Sequence, residues 1–354
     1  MLWRVNLAIE IDRPRLSGGR EPLWRNGRCV QLGVDPRHAL VVDGLSPALA
    51  ELIHRIDGTR TMRQLVAEAV TAGASEAETT GLLADLAAAG LIEDAGDAEV
   101  VPAELAADIE AWTLRSGRTG GELLAQRSAA TVEVYGSGRV AIAVAMLLAA
   151  SGVGRPLARP AGHVTRADIG IGYGRHDIGH PREAAAAAAI RRHRASVGPG
   201  FGTPVPEVAV VADSAVHDAT LALRLVAERV PHLAVHVRDG RAGVGPFVLP
   251  GRTSCLRCAS LHRSDGDPCW PRLAAQLAGR PAAASHTATA VAAGIAVEQV
   301  LGLLAGSSEP ATVEATVELD PLTGRLASRA LPPHPACGCG AARIGEPRHA
   351  NRAM

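Results

Sequence analysis

The run TVEVYGSGRVAIAVAMLLAASGVG at 131–154 restricts what this chain can fold into more than any other segment. Residues 131–135 read as a strand, Gly136-Ser137-Gly138 as a turn, and the continuous apolar stretch 140–150 as a helix packed on a sheet. A strand that closes on a glycine turn and opens a helix aims free backbone N–H groups and the positive helix end at one point, where a phosphate can sit. Ala141 takes the third glycine position of the G-x-G-x-x-G pattern. Folds of this kind end their second strand with an acid that holds the ribose. Here that place reads Arg159-Pro160-Ala161-Gly162, and Asp168 comes too late in the register to replace it. Asp213 closes the apolar run EVAVVAD at 207–213. It is the one acid placed for a phosphate or metal, or equally for capping a helix at 215–230.

Strands and helices keep alternating downstream. PREAAAAAAIRRHRA (181–195) and AVHDATLALRLVAERV (215–230) read as helices and HLAVHVRDGRAGVGPFVL (232–249) as a hairpin. The segment 285–306 is a long apolar helix whose small residues suit close packing, and 310–331 gives two more strands. The alternation predicts an α/β domain with a largely parallel sheet. Arg191-Arg192-His193-Arg194 could reach phosphates, although such a run is more commonly a solvated helix face.

Ahead of this domain, residues 1–94 form a separate unit. Two apolar runs, 28–34 and 38–45, flank Asp35-Pro36-Arg37, a hairpin signal. Three helices follow. Ser46-Pro47 opens the first, and Thr61/Gln64 and Ser75/Glu78 open the others as capping boxes. GLIED closes the unit with a short strand. A hairpin with three helices is a winged-helix shape, an α+β domain. Residues 95–128 read as a connector with one helix after Pro102, 129–345 as the α/β domain and 346–354 as a tail.

Cys255-Leu-Arg-Cys258 follows a Pro-Gly turn, and Cys337-Gly-Cys339 lies far downstream in HPACGCG. Two cysteine pairs on two turns are what a tetrahedral, four-thiolate zinc site requires. Such a site has no open position, so the metal would be structural, clamping the C-terminal segment to the domain. A redox CxxC pair needs a thioredoxin-like strand and helix, which this context lacks. Cys29 reads as a small core residue of a strand. Cys269, in DGDPCWPR, has no base placed beside it by sequence.

Composition removes several functions. Formal net charge is zero, which gives no electrostatic footprint for nucleic acid. All 36 basic residues are arginine, so no Walker lysine, Schiff base or lysine general base is possible. Aromatic residues are 2% of the chain, too few for base-stacking platforms. The N-terminus lacks a secretory pattern and the apolar stretch 140–150 is too short to span a bilayer, which predicts a cytoplasmic protein without membrane contact.

Together these features resemble the E1-like, ThiF-related fold. More closely they resemble the ocin-ThiF-like proteins that bind the leaders of azoline-forming (TOMM) precursor peptides. The block VGPFVLPGRTSCLRCASLHRSDGDPCWPRLAAQL (244–277) carries most of the likeness, and SGVGRP, DIGHPREAAA and HPACGC agree in order and spacing. The first unit, with IDGTRTMRQLVAEA and LLADLAAAGLIED, resembles the PqqD-like recognition element for leader peptides. The resemblance implies a Rossmann-like E1/ThiF domain with a zinc clamp on Cys255, Cys258, Cys337 and Cys339. It also implies a non-catalytic protein that presents a precursor peptide to a YcaO-type cyclodehydratase. A leader would add as a strand at 38–43 and lie against the helix 76–89. That β-augmentation maps to His38, Leu40 and Val42 on the strand and Thr80, Leu83 and Ala87 on the helix.

The chain departs from the adenylating E1 pattern. The two acids after GVG fall on Pro160 and Gly162, and the later lysine on Arg182. Gly136, Gly138 and Asp213 are then what remains of a nucleotide site, and ATP binding is doubtful. The main alternative is an ATP-dependent adenylating enzyme acting on a peptide or carrier C-terminus. A winged-helix DNA regulator fits poorly, because the third helix carries no basic residue between Ser75 and Gly90. A homodimer is compatible with the small residues of 285–306.

Overall fold

A computed structural model of the chain describes residues 11–341 except 37–38, 97–100, 194–204, 215, 279, 281, 283 and 307–308. Its residues fall into two compact units, Met1–Ala125 and Gln126–Met354.

The first unit runs β1 (Pro14–Leu16), β2 (Pro22–Asn26), β3 (Cys29–Leu32), β4 (Leu40–Val42), α1 (Pro47–His54), α2 (Met62–Thr71), α3 (Glu76–Ala88), β5 (Ile92–Asp94) and α4 (Ala106–Ser116). Each of the first three helices begins where its sequence supplies a cap. The Ser46 hydroxyl accepts from Leu49 N–H, and Thr61/Gln64 and Ser75/Glu78 close reciprocal capping boxes. Each cap stabilises its helix by about 1 kcal/mol. Strands β2, β3 and β4 form an antiparallel sheet in that order, and β1 pairs antiparallel with β5. Val30, Leu32, Leu52, Ile53, Leu65, Leu83 and Leu86 meet in one core. The segment read as a connector is more ordered than its sequence suggests. Its helix α4 packs on the turn Ser17–Gly19, and a further helix, α5 (Gly120–Ala129), follows.

The second unit continues with β6 (Thr131–Tyr135), α6 (Arg139–Ala150), β7 (Arg155–Arg159), α7 (Arg182–His193), β8 (Val208–Val211), α8 (Ala219–Ala227), β9 (His232–Arg238), β10 (Arg241–Val248), α9 (Leu256–Gly266), α10 (Trp270–Leu277), α11 (His286–Ala305), β11 (Ala315–Leu319) and β12 (Leu326–Ala330). One sheet takes the order β12-β11-β10-β9-β8-β6-β7. Its β7-β6-β8-β9 half is parallel and its β9-β10-β11-β12 half antiparallel. The sheet is parallel-rich, as expected, and the hairpin read at 232–249 opens its antiparallel half. Asp239 (φ 48) and Gly240 (φ 80) form a two-residue turn with both φ positive, which returns the chain antiparallel.

Helix α11 packs on α6 and on β9 and β10, with Ala288, Ala292, Ala293 and Ala296 buried. By length and composition alone it could cross a membrane, but 56% of its apolar window is buried inside the protein, as in a core helix. Helix α8 starts at Ala219 rather than 215 because the Asp218 carboxylate caps it, accepting from Thr220 and Leu221 N–H.

Candidate functional site

The glycine turn between β6 and α6 has the strand-turn-helix geometry read from the sequence, but its donors are already engaged. Asp213 follows β8, which lies beside β6, and adopts a left-handed backbone with φ 65. Its carboxylate accepts from the N–H groups of Gly138 at 2.8 Å, Val140 at 3.0 Å and Ala141 at 3.1 Å. These are the amides of the α6 N-terminus, the place where a phosphate would otherwise bind. Burial pushes the Asp213 carboxyl up, and the three N–H donors oppose that shift. Asp213 is therefore not the cap of α8, which Asp218 supplies. It satisfies α6 from inside the protein. A Cβ at Gly136 would lie 2.7 Å from Asp213 Oδ2, and one at Gly138 would lie 2.8 Å from Asp213 Cγ. The two glycines thus make room for this carboxylate.

The neighbouring positions are also internally satisfied. Arg159, the last residue of β7, pairs through Nε with Glu133 Oε1 at 2.6 Å. Glu133 also accepts from the Tyr135 hydroxyl, whose oxygen accepts from Arg224 at 3.1 Å. Ala161 N–H donates to Ser137 Oγ at 2.8 Å, tying the loop after β7 to the glycine turn. Arg182 donates to Ala161 O at 2.9 Å and to Asp168 Oδ2 at 2.8 Å. Asp168 in turn accepts from Thr165 N–H. Burial would raise the Asp168 carboxyl, but the Thr165 and Arg182 bonds outweigh it and hold the carboxyl low. Arg191, Arg192 and His193 lie exposed at the end of α7, as a solvated face does. Arg194 lies outside the described residues.

The cysteines converge. Cys255 is the N-cap of α9 and Cys258 lies in its first turn, while Cys337 and Cys339 come from the segment after β12. Sulfur separations are 3.8 Å for Cys255–Cys258, 3.7 Å for Cys255–Cys337 and 3.7 Å for Cys258–Cys339. A tetrahedral zinc with Zn–S bonds of about 2.3 Å requires sulfur edges of about 3.8 Å. All four sulfurs lie within 4.8 Å of one another, so the set can hold a metal such as zinc. The hydrogen bond from the Cys255 thiol pulls Cys258 down to about 4 and, by the same bond, Cys255 is pushed up. The helix N-terminus also favours thiolate here. Backbone N–H groups, including that of His334, reach these sulfurs.

Sequence reasoning gives no role to His334, although it stands three residues before Cys337. Its Nδ1 accepts from Ala336 N–H at 3.1 Å, so Nε2 carries the proton that meets Asp265 Oδ2 at 2.8 Å. That bond fastens the C-terminal segment to α9. Cys29 is buried in β3, and Cys269 is an exposed thiol at the start of α10.

In the first unit, β4 is the outer strand of its sheet, with Leu40 41% and Val41 48% exposed. Val42 sits opposite Val30 and packs on the core. His38 lies outside the described residues. On α3, Thr80 is exposed and Ala87 half-buried, but Leu83 is 2% exposed and belongs to the core. The facing assigned to Leu83 is therefore corrected. Thr79, Leu83 and Leu86 form the buried stripe, which turns Ala77, Thr80, Ala84 and Ala88 outward.

No family model and no curated protein matches this chain. Solved structures do. MccB of E. coli with AMPCPP and MccA superposes with a TM-score of 0.70 at 14% identity, covering 93% of this chain and 99% of that one. MccB of E. coli alone gives 0.67 at 15% identity, covering 96% and 99%. PaaA gives 0.67 at 17% identity, covering 89% and 99%. At these identities the likeness establishes the fold, which is the E1-like, ThiF-type fold of MccB.

Proposed function

We propose that this chain is a precursor-peptide-binding protein of ribosomal peptide natural product biosynthesis. In this reading it holds a leader peptide and presents the remainder to a YcaO-type cyclodehydratase, without adenylating it. The observation that carries the reading is the Asp213 carboxylate on the Gly138, Val140 and Ala141 amides. A carboxyl group already occupies the place of a phosphate, and the two positions of the E1 acids hold Pro160 and Gly162. The first unit, read as a PqqD-like recognition element, offers the open edge of β4 and the small-residue face of α3 to an extended peptide. Main-chain hydrogen bonds would supply affinity, and the exposed Leu40 and Val41 side chains selectivity. Peptide handling is further supported by the solved MccB–MccA complexes, one of which is described as the microcin C7 biosynthetic enzyme with N-formylated MccA. Zinc on the four thiolates would be structural, since four protein ligands leave no open position.

A second reading, a peptide-adenylating enzyme, is favoured by MccB structures that contain ATP or AMPCPP. ATP–pyrophosphate exchange with the full chain, magnesium and the cognate precursor separates the two. The proposal expects no exchange above background, and precursor-dependent exchange would replace it with the second reading.

A further inference from the structure

A strand-like alternation precedes β1. Every odd position from Trp3 to Ile11 is a large apolar residue, in turn Trp3, Val5, Leu7, Ile9 and Ile11, and every even position from Arg4 to Asp12 is polar or alanine. A strict period of two is the signature of a strand with one buried face. Such a strand needs a sheet edge to pair its backbone and a core to receive its apolar side. Residues 1–10 lie outside the described residues, but Ile11, the last of the series, packs on the core of the first unit.

One edge of that unit offers both. Leu40 of β4 pairs with Leu32 of β3, so the two share the core face of the sheet. Leu32 is fully buried, yet Leu40 is 41% exposed, and among the described residues no strand lies beyond β4. The core is thus left uncovered at the outer edge of β4. The other edges are blunted. β2 begins with Pro22, which has no N–H to give, and its register shifts between Trp24 and Asn26. The Trp24 ring is already stacked on His54 at 4.4 Å. β5 cannot lengthen its pairing with β1, because the backbone turns helical at Ala95-Gly96. Reach is sufficient: ten extended residues cover about 33 Å, and a domain of about 100 residues has a radius of gyration of about 13 Å.

We propose that residues 3–9 add to the outer edge of β4 as a strand, turning Trp3, Val5, Leu7 and Ile9 toward the core beside Leu40. The segment then occupies the edge proposed for a leader, and a leader binds by displacing it. The displacement rests on the leader-binding reading; the docking of residues 3–9 does not. Competition of this kind lowers the apparent affinity for leader by the fraction of molecules whose edge is free.

Hydrogen exchange tests the docking in three proteins: the full chain, a chain lacking residues 2–10 and the full-length Leu7→Asp variant. Leader anisotropy on the same three tests the displacement. Amides of β4 should exchange about tenfold faster in both altered proteins, with α1 and α2 unchanged. Leu7→Asp keeps the chain length, so the test does not depend on the truncated protein folding. Leader affinity should rise about fivefold in both. Equal β4 exchange in all three would overturn the proposal. So would protection that is lost on diluting the full chain, which would assign the edge to a second copy's segment. Released β4 amides with leader affinity unchanged or absent would uphold the docking and remove the leader from β4.

Discussion

The Asp213 carboxylate lies 2.8 Å from the Gly138 amide, joining two residues 75 positions apart in sequence. This contact caps the N-terminus of α6 from within the protein. It makes Asp213 a determinant of stability. Charge-assisted hydrogen bonds contribute about 1.5–3 kcal/mol each and do not sum in full. Asp213→Ala should therefore lower stability by about 2–4 kcal/mol in urea denaturation, and Asp213→Asn, which keeps one carbonyl acceptor, by less.

The same contact explains Gly138. Gly138→Ala places a methyl against the Asp213 side chain and should cost about 1–3 kcal/mol, as overpacking does. In an Asp213→Ala background the penalty should shrink by at least about 1 kcal/mol, since the obstructing carboxylate is gone. Equal penalties in both backgrounds would mean the glycine serves another purpose.

Elemental analysis should find about one zinc per chain, held by Cys255, Cys258, Cys337 and Cys339. Cys258→Ser should abolish stoichiometric metal and loosen the C-terminal segment, read as faster amide exchange in α9 and around His334. A stably folded, metal-free protein would remove zinc from the account.

Acid should destabilise the second unit through its buried histidines. Burial, then the charge of Arg238, holds His236 well below its ordinary value, and burial, then Arg238, brings His217 to about 3. Unfolded histidines titrate near about 6.5. Below that pH the unfolded chain takes up protons that the fold refuses, so stability is full above about pH 6.5 and falls as pH drops toward the folded values. Each histidine contributes a slope of up to about 1.4 kcal/mol per pH unit. His236→Gln should flatten the pH dependence of urea midpoints between pH 6 and 4 by about one proton's worth.

Local chemistry was legible in the sequence, and its long-range partners were not. Ser46, Thr61 and Ser75 mark helix starts because a cap acts on amides within three residues. The cysteine pairs are legible because their spacing is itself the ligand geometry. Strands β1 and β2 escape notice because each is short, begins with proline and lacks alternation. The role of Asp213 depends on β8 lying beside β6, which no local pattern encodes. Leu83 reads as a leader contact because α3 is apolar on several sides, and only packing selects its buried stripe. His217 and His236 come together from a loop and a strand, with nothing in either segment to signal their contact.

Leader binding is the claim on which the functional account rests. A fluorescently labelled leader from the cognate precursor, titrated by anisotropy against the full chain and against a chain lacking residues 1–94, tests it most directly. The account predicts saturable binding to the full chain and none to the truncated one. Undiminished affinity after the truncation would contradict it.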